Sequence, residues 1–67
     1  MAQNISIVII DSETASVNKM VDYIKNLRDH VTVDGVATTF GSGLELVRNK
    51  RPMIVIMELR TLNRAFW

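Results

Sequence analysis

Acidic and hydroxyl side chains follow two apolar runs of this chain. Asp11, Ser12 and Glu13 come directly after a first run that is rich in Ile and Val, and Glu58 ends the second run. Carboxylate and hydroxyl oxygens are the ligands that hard cations such as Mg²⁺ and Ca²⁺ prefer. These four residues are therefore the candidate ligands of one weak metal site.

The same residues also fit a purely structural role. Asp11 and Ser12 are residue types that cap helices, and Glu58 fits a solvated strand end. Spacing alone favours this capping interpretation over the metal site. Catalysis is not indicated, because the chain has no cysteine and its one histidine, His30, has no recognisable nucleophile and orienting group to act with. We therefore predict that the chain is not an enzyme.

The two apolar runs must be the elements that position these acids. Each is too continuously apolar for a half-exposed strand, which is typical of strands buried on both faces of a parallel sheet. Helical and strand patterns alternate along the chain, so the sequence predicts a β-α-β-α-β domain with right-handed crossovers. In such sheets the functional crevice lies at the carboxyl ends of the strands. The predicted strands span residues 5–11, 32–38 and 53–59, and the predicted helices span residues 14–29 and 43–50.

Two glycine-containing segments allow alternative interpretations. Asp34 and Gly35 could form a hairpin turn, but the flanking residues are too few for two arms, so we predict one strand with an interior glycine. Gly41, Ser42 and Gly43 could cradle a phosphate before a helix. They lack the lysine and the spacing of a P-loop, so we predict a loop that opens the second helix.

Both helices are predicted to be amphipathic. In the second helix, Leu44 and Val47 form the apolar face, with Leu46 beside them. In the first helix the apolar positions repeat at intervals of three and four residues, and they are Val17, Met20, Val21, Ile24 and Leu27.

Size, charge and composition exclude several classes of protein. The 67 residues form one small domain near the lower size limit of independent stability. The lack of cysteine excludes a disulfide framework and a thiolate metal site. A formal net charge of +1 does not favour nucleic acid, and the apolar runs are too short for a signal peptide or a membrane span. We therefore expect a cytoplasmic protein that binds neither nucleic acid nor membranes directly.

Three stretches of the chain together resemble the first half of a bacterial response-regulator receiver domain. The likeness covers nearly the whole chain, in order, and implies a flavodoxin-like fold and a role in two-component signalling. Residues 1–67 would then be a single, truncated receiver-like domain, expected to belong to a longer regulatory protein. The stretches are Ile7-Val-Ile-Ile-Asp11-Ser-Glu13, Val36-Ala-Thr-Thr-Phe-Gly41-Ser-Gly-Leu-Glu-Leu-Val47 and Arg51-Pro-Met-Ile-Val-Ile-Met-Glu58-Leu59-Arg60.

The resemblance also implies roles for individual residues. In the family, an acidic pair after the first strand and an aspartate after the third bind Mg²⁺, and that aspartate accepts a phosphoryl group from a histidine kinase. By this resemblance Asp11 matches one acid of the pair, Ser12 replaces the other, and Glu58 stands at the phosphoacceptor position. Glutamate is one methylene longer than aspartate, and phosphoryl transfer depends on positioning. The resemblance therefore predicts a degenerate receiver that works without phosphorylation, with no cofactor beyond weakly bound Mg²⁺.

The third predicted strand and the residues after it are expected to form an interface. If the strands lie in the order second, first, third, this apolar strand is an unpaired edge that invites another chain. We therefore predict a protein-interaction or dimerisation module that forms a homo-oligomer. The predicted interface residues are Met53, Val55, Met57, Leu62, Phe66 and Trp67.

Other functions remain open at this point. The chain could be a Mg²⁺-binding receiver domain that keeps some phosphoacceptor activity, or an excised half-domain without activity of its own. A metal-binding or small-molecule enzyme of the α/β class would need a further catalytic group, and the sequence offers none.

Overall fold

Strands and helices alternate along the chain, and the strands form one parallel sheet. A computed structural model describes residues 4–27 and 30–58. Its three strands are hydrogen-bonded in the order β2-β1-β3, which confirms the predicted α/β fold and places the first strand at the centre. In chain order the elements are β1 (Ile5–Ile10), α1 (Thr14–Leu27), β2 (Val31–Ala37), α2 (Phe40–Lys50) and β3 (Ile54–Met57).

Most element boundaries fall within a residue or two of the predicted ones. β1 ends at Ile10 rather than at residue 11, and β2 is shifted by one residue toward the N-terminus. α1 begins at Thr14 as predicted, whereas the predicted end at residue 29 lies outside the described residues. β3 is shorter than predicted, because Met53 and Glu58 flank the strand and residue 59 is not described.

The two helices cover opposite faces of the central strand. On one face, Ile7 and Ile9 of β1 pack against Val17 and Ile24 of α1. The alternate residues of β1, Val8 and Ile10, turn to the other face, where they form a second core cluster with Ala37, and Leu46 and Val47 of α2 pack against it. Neighbouring residues of a strand point to opposite faces. Because α1 covers one face of β1 and α2 covers the other, residues 7–10 of this strand are all apolar.

α1 begins directly after Glu13 and packs through its predicted apolar face. The side chain of Glu13 accepts a hydrogen bond from Ser16 Oγ at 2.7 Å, and its carbonyl accepts one from Val17 N at 3.1 Å. Met20 and Val21 are half-buried beside the core, so the predicted spacing of three and four residues does form the packed face.

The prediction of a loop before the second helix is wrong. α2 begins at Phe40, three residues earlier than predicted, and it includes Gly41, Ser42 and Gly43 in its first turn. Thr39 is in an extended conformation, and its Oγ1 accepts a hydrogen bond from Ser42 N at 3.2 Å. A threonine cap satisfies one of the N–H groups that every helix start leaves without an intrahelical partner, and it outweighs the low helix propensity of glycine here.

The apolar face of α2 also differs from the prediction. Leu44 is 42% exposed, whereas Gly43 is buried and Leu46 and Val47 pack on the sheet. Residues 43, 46 and 47 follow the helical spacing of three and four, so the missing side chain of Gly43 is part of the packed face. The sequence pattern concealed this because glycine does not count as an apolar position.

β2 is one strand with an interior glycine, as predicted, and it contains a bulge. Ile7 of β1 is paired with Val33, but the next residue, Val8, is paired with Gly35, so Asp34 is the extra residue. Paired residues of neighbouring strands share a face. The bulge therefore moves Val33 and Gly35 to opposite faces of the sheet, although they are two positions apart in the sequence.

Within the described residues, neither helix combines the length and the apolar character that crossing a membrane requires.

Candidate functional site

The ends of β1 and β3 bring two carboxylate residues side by side. Glu58 N donates a hydrogen bond to the carbonyl of Ile10 at 2.9 Å, and Ile10 is paired with Met57 in the parallel ladder. Asp11 and Glu58 are therefore the next residues of two neighbouring strands, which lie about 4.8 Å apart. On the other side, Asp11 N donates to the carbonyl of Ala37 at 2.9 Å. The two acids consequently share the carboxyl edge of the sheet.

Asp11 is the buried member of this pair. Only 6% of its surface is exposed, and it is the one charged residue that is buried in the described part of the chain. Its Oδ1 accepts a hydrogen bond from Glu13 N at 2.9 Å. No donor among the described residues contacts its other oxygen. A buried carboxylate with one oxygen left over favours an additional ligand, such as a cation or water, because burying an unpaired charge is costly.

The other predicted ligands are placed less favourably. Ser12 and Glu13 are exposed, and the carboxylate of Glu13 is used by Ser16 at the start of α1. Glu58 is half-buried. Within the described ranges, no three acidic or histidine residues are grouped closely enough to hold a metal ion.

The donor set nevertheless fits one way of binding Mg²⁺. This ion keeps several waters and is usually held by one or two carboxylates rather than by a full protein cage. Asp11 and Glu58 supply such a pair at neighbouring strand ends. Asp11 also has a structural role, because its bond to Glu13 N fixes the turn that leads into α1. Glu13 precedes the first residue of the helix, Thr14, so this bond stabilises the turn and does not cap an N–H group of the helix itself.

A second candidate site is the outer side of β3. Met53 is 58% exposed, Ile54 is 43% exposed and Val55 is 39% exposed. Ile54 is paired with Ile7 and Val55 with Val8, so the two side chains lie on opposite faces of the sheet. The first half of β3 is therefore open on both faces, whereas Ile56 and Met57 in its second half are half-buried against the two core clusters. β1, by contrast, is covered on both faces.

The predicted interface residues are only partly assembled by this surface. Met53 and Val55 are exposed, whereas Met57 is half-buried and packs against the second core cluster. Leu62, Phe66 and Trp67 lie outside the described residues. The predicted interface contained every second residue of this strand and so did not include Ile54. The unbroken apolar run already indicated that both faces of the strand have to be buried.

The prediction from the sequence also did not include two threonines that follow β2 at the same edge of the sheet. Thr38 and Thr39 are exposed and follow Ala37, whose carbonyl accepts the hydrogen bond from Asp11 N. Their position beside Asp11 depends on the strand order, which a pattern of apolar residues does not specify.

Comparisons of the chain with protein-family models, with curated proteins and with solved structures found no match.

Proposed function

We propose that this chain is a receiver-like module of bacterial signalling that acts in the cytoplasm and binds another protein without being phosphorylated. The binding surface is the outer side of β3, defined by Met53, Ile54 and Val55. Family resemblance supplies the signalling context, and the open strand supplies the surface.

The exposure of the first half of β3 on both faces is the observation that carries this proposal. Ile54 and Val55 are adjacent, uncharged and about two-fifths exposed on opposite faces of the sheet. Burying apolar area contributes about 25 cal/mol per Å², so covering such a strand stabilises a complex. An uncharged edge strand with exposed apolar side chains is a template for pairing with another chain.

The acidic edge supports independence from phosphorylation. Glu58 stands where the resemblance expects the phosphoacceptor, and it follows β3 directly. Its side chain already carries a negative charge, one methylene farther from the backbone than an aspartate carboxylate. Because phosphoryl transfer depends on an in-line geometry, this displacement opposes the reaction.

Selection from a display library of extended seven-residue peptides tests the binding surface. We expect the wild-type protein to enrich peptides with apolar residues, and Val55→Lys to lose that enrichment because a charge on an edge strand opposes added strands. Val36→Lys is the matched control, since Val36 is also a β residue, 41% exposed, on the opposite edge of the sheet. A wild-type protein that is monomeric under the conditions of the selection and still enriches no peptide would overturn the proposed interaction surface.

Incubation with acetyl phosphate and Mg²⁺ tests the second half of the proposal. We expect intact-mass measurement to show no phosphorylated species. A stoichiometric phosphoryl adduct on Glu58 would show instead that this is a phosphoaccepting receiver domain.

Magnesium binding is the second candidate function, and the buried Asp11 favours it. Titration with Mg²⁺ alone, followed by amide chemical shifts, would then perturb Glu13 and Glu58 in the wild type. Asp11→Asn is the control, because it keeps an oxygen for Glu13 N and removes the charge. Shifts that are equal in both proteins would exclude Asp11 as a ligand.

A further inference from the structure

We propose that two copies of this chain pair through their β3 strands, antiparallel, across a two-fold axis at Ile56. This inference rests on the proposed function, because it uses the same strand, β3, and names a second copy as its partner. The pairing would extend two parallel sheets into one continuous sheet with a single antiparallel junction.

Hydrogen bonding within the sheet determines which backbone groups of β3 are available. In a parallel ladder, every second residue directs both its N–H and its carbonyl toward the same neighbouring strand. Glu58 N donates to the carbonyl of Ile10 in β1, so Ile54 and Ile56, at even spacings from Glu58, also face β1. Val55 and Met57 consequently direct their N–H and carbonyl groups to the outer edge. Among the described residues, β1 is the only strand paired with β3.

The two edge strands of the sheet, β2 and β3, differ in how well they could pair with a strand of another chain. β2, at one edge, contains the bulge and exposes Thr32 and Asp34. Bulges and charged side chains are the devices by which edge strands avoid pairing. β3, at the other edge, is a regular run of Ile, Val, Ile and Met without a charge. The edge of β3 is therefore the one suited to accept a strand.

Symmetry then selects the antiparallel orientation. Two identical strands related by a two-fold axis need a ladder that contains such an axis, and the antiparallel ladder does, whereas the slanted bonds of the parallel ladder do not. Hydrogen-bonded pairs must join residues that face the edge, which are Val55 and Met57. If Val55 of one copy is paired with Met57 of the other, the two-fold axis creates the same pair a second time with the copies exchanged. Both pairs then consist of residues that face the edge, and the axis lies at Ile56.

The charges that flank β3 are complementary in this orientation. Lys50 and Arg51 precede the strand, and Glu58 follows it. In the proposed register Glu58 of one copy lies opposite Ile54 of the other. Arg51 comes three residues before Ile54, and three residues span at most about 10 Å. Opposite charges at that distance attract at low ionic strength, whereas a parallel arrangement would place like charges together.

An apolar contact across the axis would add to the pairing. Ile54 and Ile56 lie on the face that α1 covers, and Ile54 is open there. Residues that face each other in a pair without hydrogen bonds have Cα atoms about 4.5 Å apart, so the two Ile56 side chains would be in contact.

Single-cysteine variants test the register, because the chain has no cysteine of its own. Ile56→Cys should form a disulfide dimer under mild oxidation, since a separation of about 4.5 Å lies within the range that disulfides bridge. Ile54→Cys is the matched control on the same face, and its two copies would lie about 13 Å apart, too far for a disulfide. Equal cross-linking of both variants, or of neither, would overturn the proposed register.

Sedimentation velocity across about 1 to 500 µM protein tests the pairing itself. Val55→Pro removes the outward N–H group and keeps the bonds to β1, so we expect its dimer dissociation constant to rise about tenfold or more. Val55→Ala keeps that N–H and should remain dimeric. A folded wild-type monomer over the whole range would overturn this inference. If this monomer still enriches peptides, the edge of β3 binds a different protein and the proposed function stands. If it neither dimerises nor enriches peptides, the proposed function is rejected as well.

Discussion

Gly43 of α2 lies directly against Ile10 of β1. A methyl group added at Gly43 would lie 2.7 Å from Ile10 Cγ1, well inside van der Waals contact, and Ile10 is fully buried. We therefore expect Gly43→Ala to lower the free energy of unfolding by about 1 to 3 kcal/mol through overpacking. Urea unfolding followed by circular dichroism measures this change.

Gly41 is the matched control for that prediction, because it lies two residues earlier in the same helix and an added methyl group would meet no atom within 4 Å. Gly41→Ala should raise the free energy of unfolding by up to about 1 kcal/mol, since alanine loses less backbone entropy in a helix. Changes of the same sign in the two variants would show that α2 does not pack on β1 in this way.

Arg51 ends α2 in the left-handed region, with φ 47° and ψ 59°, and its N–H donates to the carbonyl of Val47 at 2.9 Å. For a residue with a Cβ atom this conformation costs about 1 kcal/mol, and glycine adopts it freely. We expect Arg51→Gly to raise the midpoint of thermal unfolding. Arg48→Gly, which removes the same charge from the interior of the same helix, should lower it.

Asp34 is expected to be dispensable to the sheet. Removing it would leave Val33 and Gly35 as consecutive residues paired with Ile7 and Val8, so the ladder would become regular and every side chain would keep its face. Deletion of Asp34 should therefore preserve the far-ultraviolet circular dichroism spectrum and a cooperative unfolding transition.

Deletion of Val36 is the control for the bulge. It also shortens β2 by one residue, but it moves the buried Ala37 to the opposite face of the sheet and out of its core cluster. We expect this variant to lose cooperative unfolding. If the two deletions behave alike, the register of β1 and β2 is not the one described.

The element order was predictable because the apolar periods are strong. β1 is apolar at five of its six positions, which only a strand covered on both faces tolerates, and the spacing of Val17 and Ile24 is helical. The start of α2 was not predictable in the same way. Its first turn contains Gly41 and Gly43, which are poor helix formers. Two contacts fix this turn: the hydroxyl of Thr39 accepts the bond from Ser42 N, and the side chain of Ile10 packs against Gly43, 33 residues later in the sequence.

The candidate site was predictable in its members but not in its geometry. Asp11 and Glu58 each follow an apolar run, which is enough to place them at strand ends. The sequence did not show that Glu13 is drawn to Ser16 at the start of α1, away from the pair. Nor did it show that Asp11 is buried, because burial follows from the strands on both sides of it.

The turn between β1 and α1 depends on the carboxylate of Asp11. Its Oδ1 accepts the hydrogen bond from Glu13 N at 2.9 Å, and removing a buried acceptor leaves that N–H without its partner. We expect Asp11→Ala to lower the free energy of unfolding by about 1 kcal/mol or more. Asp11→Asn keeps an oxygen in the same place and should cost less. Chemical denaturation of both variants in metal-free buffer measures the difference, and an equal loss in the two would mean that the charge of Asp11, and not its bond to Glu13 N, stabilises this edge of the sheet.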